Sequence, residues 1–402
     1  MTKNNPKQDP LNVLGVIHRL EVGPVQLKPR VMTAPYRVTQ DGEVHENELI
    51  YRFEEDVFVP GEPASVNLAS MMAAQVALNY GLFSDELVFH GLFDEHDRSF
   101  LEEMAQITAR EIFVKKFLEP NPFLRGPATQ LTPVKRKNYL RAEVVFADEV
   151  HSHWTKALEK EKGIGNWMVD RSRHAVLSSG GKDSLLSFGL LRELGYQVHP
   201  IFINESGRHW FTSLNAYRYF AANVRNTARV WSNSDRLFTW MLRRMPFVRK
   251  DFSRIRSDEY PIRLWTVAVF LFGALPILRK RGIGRIIIGD EFDTTHRLSY
   301  KGIRHYDGLY DQSRYFDNAL TRYFQRKGWE ISQFSVLRPL SELLIEKILV
   351  ERYPELQTLQ VSCHATHKEG DRVHPCGRCE KCRRIVGMLM ALKEDPTQCG
   401  YN

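Results

Sequence analysis

Six consecutive residues near the middle of the chain combine the side chains and the backbone freedom that phosphate binding needs. They are Ser179, Gly180, Gly181, Lys182, Asp183 and Ser184. The two glycines let backbone amides approach phosphate oxygens closely, because glycine carries no Cβ. The serines add hydroxyl donors and the lysine adds a positive charge. The aspartate would repel phosphate directly, so its presence predicts Mg²⁺ between this carboxylate and the phosphates.

This loop does not fit the Walker A pattern, in which Gly and four residues precede Gly-Lys-Ser/Thr. If Gly181-Lys182 were its core, Val176 would stand at the first glycine and Asp183 at the magnesium-binding hydroxyl. A leucine-rich amphipathic stretch follows the loop, which predicts a helix. Free amides and the helix dipole favour an anion at such an N-terminus. A ligand-free Gly-Gly turn before a helix is the alternative interpretation.

A second group of reactive side chains closes the chain, because all five cysteines lie within the last 40 residues. Clustering of this kind in a chain without widely spread cysteines indicates a metal rather than disulfides. Four thiolates at tight spacing are typical of tetrahedral zinc, so we predict structural Zn²⁺, with an iron–sulfur cluster or no metal as alternatives. The predicted ligands are Cys363, Cys376, Cys379 and Cys382. Spare donors nearby are His364, His367, His374 and Cys399.

Further candidates stand after later strands. The turn "GDEFD" begins at Gly289, which we place in the nucleotide site, and Asp290 and Asp293 in it are predicted to be catalytic together with Lys182 and Asp183. Carboxylates there would hold a metal or orient a nucleophile, and the alternative is a solvated acidic turn. Three weaker candidates for substrate contact are Arg208, His209 and Arg338.

Elements that position these groups follow from hydrophobic patterning. From about residue 170, short apolar strands alternate with helical stretches, which predicts a parallel α/β sheet with the loop at the carboxyl end of its first strand. Before it, residues 13–60 have the pattern of short strands, and 64–78 and 99–118 that of helices. The proline-rich 119–133 indicates a linker or crossing segment. We predict three parts: an N-terminal α+β domain over 1–165, an α/β nucleotide-binding domain over 166–350, and a zinc-binding segment over 351–402.

Composition and charge limit the function classes. The chain has 402 residues and a net charge of +8, and the range 236–263 holds eight Lys/Arg against three Asp/Glu. That segment favours a polyanion such as a nucleotide, a nucleotide-sugar or RNA, with a solvated helical face as the alternative. The apolar stretch from Trp265 to Leu278 is shorter than the roughly 18 residues of a membrane helix and suits a buried helix. The N-terminus has no apolar signal region, so we expect a cytoplasmic protein without a membrane partner.

The hexapeptide Ser-Gly-Gly-Lys-Asp-Ser resembles the pyrophosphate-binding loop of the PP-loop ATP pyrophosphatases. That resemblance implies an α/β fold of the adenine-nucleotide α-hydrolase type, with ATP and Mg²⁺ as cofactors. It also implies cleavage of ATP to AMP and pyrophosphate while a substrate is adenylated.

Two families of PP-loop enzymes share further motifs with the chain. Cys-Gly-x-Cys-x-x-Cys is similar to the pattern of the 7-cyano-7-deazaguanine synthases, which lack an N-terminal region of about 170 residues. The layout, with "FSVLRPLSELLIEKIL" before the cysteines, looks more like the ATP-dependent UDP-N-acetylmuramoyl-L-alanyl-L-glutamate epimerases.

These resemblances imply an enzyme that adenylates the carboxylate of an anionic small molecule or nucleotide-sugar, with epimerisation of a muramoyl-peptide glutamate as the leading hypothesis. Three alternatives stay open. One is an amide- or nitrile-forming ligase like the 7-cyano-7-deazaguanine synthases, and another is an RNA-modifying PP-loop enzyme. The third is a zinc-bearing nucleotide sensor without catalysis, which the intact loop with Asp183 disfavours.

Overall fold

A computed structural model describes residues 9–147, 166–255, 257, 259–363 and 365–401. In these parts of the chain, eleven strands form one large sheet, and two separate hairpins accompany it. The strands are β1 (Ile17–Val22), β2 (Gln26–Lys28), β3 (Val31–Gln40), β4 (Glu43–Phe53), β5 (Ser84–His90), β6 (Glu143–Ala147), β7 (Asp170–Leu177), β8 (Gln197–Asn204), β9 (Ala228–Ser232), β10 (Ile283–Ile287), β11 (Arg297–Tyr300), β12 (Ile303–Tyr306), β13 (Ser332–Phe334), β14 (His367–Glu369) and β15 (Arg372–His374).

The large sheet is mostly parallel. Its strand order is β13-β10-β7-β8-β9-β4-β3-β1-β5-β6, with β2 attached to β3. The five strands from β13 to β9 are parallel, as the alternating pattern after residue 170 predicts. Strand β9 then pairs antiparallel with β4, where Tyr51 lies opposite Ser232. Strands from 1–165 and 166–350 therefore belong to one continuous sheet.

Helices cover the sheet, as expected for a parallel arrangement. They are α1 (Pro63–Ala77), α2 (Glu95–Ile112), α3 (Lys182–Glu193), α4 (His209–Asn223), α5 (Ser234–Leu242), α6 (Val267–Arg281), α7 (Arg314–Arg326), α8 (Glu342–Arg352), α9 (Pro354–Gln357) and α10 (Glu380–Ala391). The stretch Ala268–Leu278 within α6 is almost wholly buried and packs against α1 and the strands β7, β8 and β10, so the predicted core helix is confirmed. In the described residues, no helix is both long and apolar enough to cross a bilayer.

Several sequence-based boundaries differ from the structure. The strands of residues 13–60 are not all short, because β3 and β4 have 10 and 11 residues and pair along their whole length. Helix α2 begins before residue 99, since the Asp94 side chain accepts a hydrogen bond from the Asp97 amide and caps it.

Candidate functional site

The loops that follow β7, β8 and β10 meet at the carboxyl edge of the parallel strands and line a cavity of about 480 Å³. Ligands of parallel sheets bind at this edge, because the turn after each strand opens there. The Ser179–Ser184 loop forms one wall of this cavity, and this wall is lined by Ser179, Gly181, Lys182, Asp183 and Ser184. The first candidate motif of the sequence therefore lies in a cavity at the carboxyl edge of the parallel strands.

The backbone of the Ser179–Ser184 loop packs against α4 and accepts hydrogen bonds from two serine hydroxyls. Gly180 has φ = +77°, and a Cβ on it would lie 2.6 Å from the carbonyl oxygen of Thr212. The Ser213 hydroxyl donates to the carbonyl of Ser179 at 2.9 Å, and the Ser184 hydroxyl donates to the carbonyl of Gly181 at 3.0 Å. Helix α3 begins directly after Gly181, so its free amides open toward the cavity.

Carboxylates outnumber the lysine of the loop on this wall. The Lys182 ammonium is buried and lies 2.7 Å from an Asp183 oxygen and 3.5 Å from a Glu342 oxygen. Burial by itself lowers the pKa of Lys182, but the carboxylates of Asp183 and Glu291 outweigh it, and the pKa is raised. Burial and the Asp183 charge raise the pKa of Glu291. Excess carboxylates beside one lysine would repel a phosphate, and a divalent cation bound to them removes that repulsion.

The acidic turn only partly meets the sequence-based expectation. Asp290 is 1% exposed, and its amide donates to the Ser335 hydroxyl at 3.1 Å, so it lies beneath the cavity rather than in its lining. Burial raises its pKa well above the usual value. Asp293 is exposed and does not line the cavity. Of this turn, Gly289 and Glu291 line it instead.

Arg338 is not available for an anionic substrate in this arrangement. Its guanidinium donates to Asp317 at 2.7 Å and lies 3.5 Å from Asp290, and it does not line the cavity. The neighbouring Glu342, which sequence reasoning missed, does line it. The available signal was the Arg-Pro-Leu-Ser-Glu-Leu stretch, in which the Ser341 side chain caps α8 and places Glu342 in its first turn.

A second wall comes from the turn after β8. Glu205 is 3% exposed and lines the cavity, and its Oε1 has no hydrogen-bond partner among the described residues. Burial raises the pKa of Glu205 to about 7, with the Asp235 charge adding to the effect. Its neighbour Ser206 has φ = +62°, a strained conformation of the kind found at functional turns. Sequence reasoning singled out this turn but not this residue.

His209 and Tyr260 complete that wall. The two side chains share a hydrogen bond, and both line the cavity. Arg263 stacks on the Tyr260 ring at 3.6 Å and pairs with Asp235 at 2.9 Å. Arg208, the other candidate of this turn, is not part of the lining.

The four predicted cysteines converge. The sulfurs of Cys363, Cys376, Cys379 and Cys382 all lie within 4.8 Å of one another, and this group could hold a metal ion. A hydrogen bond from the Cys382 thiol, together with the backbone amides of Cys376 and Ala365, lowers the pKa of Cys363 to about 5. A thiolate is the form that binds metal, so this environment suits a metal ligand.

The spare donors stay apart from that group. Cys399 is buried, and its thiol donates to the carbonyl of Gln357 at 3.2 Å. His367 pairs with Glu369 at 3.0 Å on an exposed hairpin, and His374 lies opposite it on β15. His364 lies outside the described residues.

Fold and site together define a mixed α/β protein with a mostly parallel sheet, a cavity at the strand ends, and a four-cysteine group that could bind metal. No protein-family model matches the chain, and no curated protein matches it. Among solved structures, the U34-tRNA thiolase NcsA from Methanococcus maripaludis, with its 4Fe-4S cluster, is 13% identical over 62% of this chain and 77% of that chain, with a TM-score of 0.30. Because that score is well below 0.5, we draw nothing about fold or function from the likeness.

Proposed function

We propose that the protein is a PP-loop ATP pyrophosphatase that transfers the adenylyl group of ATP to an acceptor carboxylate with release of pyrophosphate. AMP is then released when a nucleophile or water displaces it from the acyl-adenylate. One observation carries the proposal. The Ser179–Ser184 loop, with its positive-φ glycine, its lysine and its aspartate, opens at the N-terminus of α3 into a cavity at the carboxyl edge of a parallel sheet. Backbone amides at such a terminus suit phosphate oxygens.

Each residue of the loop has a role in this reaction. The backbone amides of the loop and the Ser179 hydroxyl bind the β and γ phosphates. Rotation of the Ser184 hydroxyl away from the Gly181 carbonyl would let it donate to the same phosphates. Lys182 neutralises the charge that grows on the departing pyrophosphate, which is where fixed donors accelerate a reaction most. Asp183 and Glu291 would hold Mg²⁺, which supplies charge neutralisation between carboxylates and phosphates. Their oxygen donors fit that ion, which would also relieve the repulsion between Asp183 and Glu291 that helps to raise the pKa of Glu291.

On the wall formed by the turn after β8, Glu205 is suited to proton transfer. A general base works best when its pKa is near the working pH, and burial has raised the pKa of Glu205 to about 7. Its unpartnered Oε1 and its place in the lining leave it able to accept a proton from the acceptor side. The acceptor is then bound between the Ser179–Ser184 loop and Glu205.

We propose the acceptor by class, as an anionic small molecule or a nucleotide-sugar with a carboxylate. Activation of a carboxylate makes its carbonyl carbon electrophilic and its α-proton more acidic. A ligase uses the first effect and the muramoyl-peptide epimerase of the leading sequence hypothesis uses the second. The cavity contacts do not favour the epimerase over the ligase.

A second candidate is an RNA acceptor, and a basic groove favours it. This groove has a volume of about 620 Å³ and is separate from the ATP cavity. Its cationic lining consists of Arg125, Arg243, Arg244, Arg249 and Lys250, against the acids Asp41 and Glu43. Arg249 is bound to both oxygens of Asp251, and Arg244 stacks on Trp240 at 3.6 Å. The remaining cations suit a phosphate backbone.

The experiment for the proposed function incubates the purified protein with Mg-ATP and one acceptor at a time, and follows AMP and pyrophosphate. The acceptors are UDP-N-acetylmuramoyl-L-alanyl-L-glutamate, a panel of small carboxylic acids with ammonium, and bulk tRNA. We expect at least one acceptor to stimulate AMP formation by wild type and not by Asp183→Asn. Stimulation by none of them, with ATP intact, would contradict the proposal.

For the RNA candidate, tRNA binding is measured at rising salt. The double variant Arg243→Glu/Lys250→Glu should weaken it and flatten its salt dependence, whereas Lys137→Glu, an exposed lysine outside the groove, should not. Equal binding by all three proteins would remove this candidate.

A further inference from the structure

Residues 351–402, which we call the cysteine segment, are in direct contact with the Ser179–Ser184 loop. The Val361 amide donates to the carbonyl of Gly180 at 3.1 Å. The Ser362 hydroxyl lies 3.5 Å from the position that a Cβ on Gly181 would occupy, and the Ser362 carbonyl accepts a 3.7 Å contact from the Cys382 thiol. Ser362 therefore lies between the Cys382 sulfur and the loop backbone that would face the phosphates.

Two cations reach the cavity from the same segment. Helix α10 begins immediately after Cys379, and Lys381 and Arg384 in its first turns line the cavity. The Arg384 guanidinium lies 3.2 Å from a Glu342 oxygen, and the same oxygen lies 3.5 Å from the Lys182 ammonium. Glu342 thus bridges the lysine of the loop and the arginine of the cysteine segment.

The charge balance of the loop wall requires such cations. Lys182 already faces the carboxylates of Asp183 and Glu342, and Glu291 lies close enough to raise its pKa. A bound triphosphate would add further negative charge to this wall. The cations of the cysteine segment, together with Mg²⁺, offset that charge, and an arginine fork suits phosphate oxygens especially well.

We propose that Lys381 and Arg384 bind the β and γ phosphates of ATP, and that metal at the four cysteines sets ATP affinity by holding α10 in place. The inference rests on the proposed function, in which this cavity binds ATP. A metal held by cysteines on both sides of Lys381 fixes the start of the helix, because metal binding free energy in such segments is largely folding free energy. Without the metal, the two cations and the support of Gly180 are both lost.

The test measures equilibrium binding of Mg-ATP and of AMP, with metal content determined on each protein. The proteins are wild type, Arg384→Gln, Arg384→Lys, Lys381→Gln and the control Arg383→Gln. Arg383 carries the same charge on the same helix, is exposed, donates to the carbonyl of Arg378 at 3.1 Å and does not line the cavity. All substitutions leave the cysteines intact, so metal content should stay as in wild type.

We expect Arg384→Gln and Lys381→Gln to weaken ATP binding about tenfold or more, as loss of a charge-assisted hydrogen bond does. AMP binding should be unchanged, because AMP has no β and γ phosphates. Arg384→Lys should recover part of the loss, and Arg383→Gln should bind both nucleotides as wild type does. Removal of the metal by a chelator should weaken ATP binding at least as much as either single variant.

The outcomes separate this inference from the proposed function. If wild type binds no ATP, the proposed function fails and this inference with it. If wild type binds ATP and both cavity variants bind it equally well, only the phosphate role of Lys381 and Arg384 is refuted. If the metal-depleted protein binds ATP as tightly as the loaded one, the coupling to the metal is refuted. Equal losses for ATP and AMP would also contradict the inference, since they indicate general damage to the cavity.

Discussion

Substitution of Gly180 by alanine tests whether the phosphate loop has the crowded, left-handed geometry described above. Gly180 has φ = +77°, a backbone conformation that residues other than glycine adopt with difficulty. A Cβ there would lie 2.6 Å from the Thr212 carbonyl oxygen and 2.9 Å from the Ser213 Cα, and both are backbone atoms of α4 that cannot rotate away. The loop must therefore move relative to α4 if it carries any side chain.

The magnitude has two parts, and the chain offers a control for one of them. Gly195 lies just after α3 with φ = +80°, but nothing lies within 4 Å of a Cβ placed on it. Gly195→Ala should therefore lower the free energy of unfolding by about 1–2 kcal/mol, from the left-handed conformation alone. Gly180→Ala adds overpacking, which typically costs a further ~1–3 kcal/mol. We expect a total of about 2–5 kcal/mol for Gly180→Ala.

Urea unfolding of both variants gives the two free energies, and ATP titration gives the effect on the site. Gly180→Ala should also weaken ATP binding, because the loop amides are displaced, whereas Gly195→Ala should bind ATP as wild type does. Equal destabilisation by the two substitutions, or normal ATP binding by Gly180→Ala, would refute the packing of this loop against α4.

Three further predictions concern the cavity and the metal group. Burial raises the pKa of Glu205 from 4.5 to about 7, so wild type loses stability as the pH rises between these values. A glutamine in its place cannot ionise, so the free energy of unfolding of Glu205→Gln minus that of wild type should be about 3 kcal/mol larger at pH 8 than at pH 4, as urea unfolding at the two pH values would show. An unchanged difference would show that this carboxyl is not buried. Asp183→Asn and Ser184→Ala should slow AMP formation on the order of 10² to 10³-fold with circular dichroism unchanged, and Lys182→Ala should lie between them and wild type; normal rates would contradict the roles assigned here. We expect one metal ion per chain in wild type and less in Cys376→Ser, in which the segment after residue 360 should become more sensitive to proteolysis. Full metal content in Cys376→Ser would rule out this ligand set.

Much of the parallel sheet could be predicted from the sequence, because its strands are short apolar runs closed by helices and glycines. The loop after β7 and the four cysteines could also be recognised, because the residues that form each of them lie close together in the sequence. The N-terminal strands were less predictable. The 11-residue β4 pairs with β9, some 180 residues later, and no local pattern signals such a long-range antiparallel contact.

The acidic side chains of the cavity could not be assigned from spacing alone. Asp290, Glu291 and Asp293 stand in one turn, and only the tertiary structure decides that Glu291 lines the cavity while Asp290 is buried beside Arg338. Glu205 and Glu342 come from turns distant in sequence, and their importance depends on burial and on neighbours such as Lys182. Likewise, the contact between Val361 and Gly180 joins two motifs that the sequence presents as separate.

The products of ATP cleavage test the central claim most directly. Wild type is incubated with Mg²⁺ and ATP labelled at the α phosphate in one sample and at the γ phosphate in another, with the acceptor that stimulates turnover, and the products are separated. The site geometry predicts that the α label appears in AMP and the γ label in pyrophosphate, with both lost in Asp183→Asn. Label in ADP and orthophosphate instead, with no AMP, would contradict the assignment of the Ser179–Ser184 loop to pyrophosphate release.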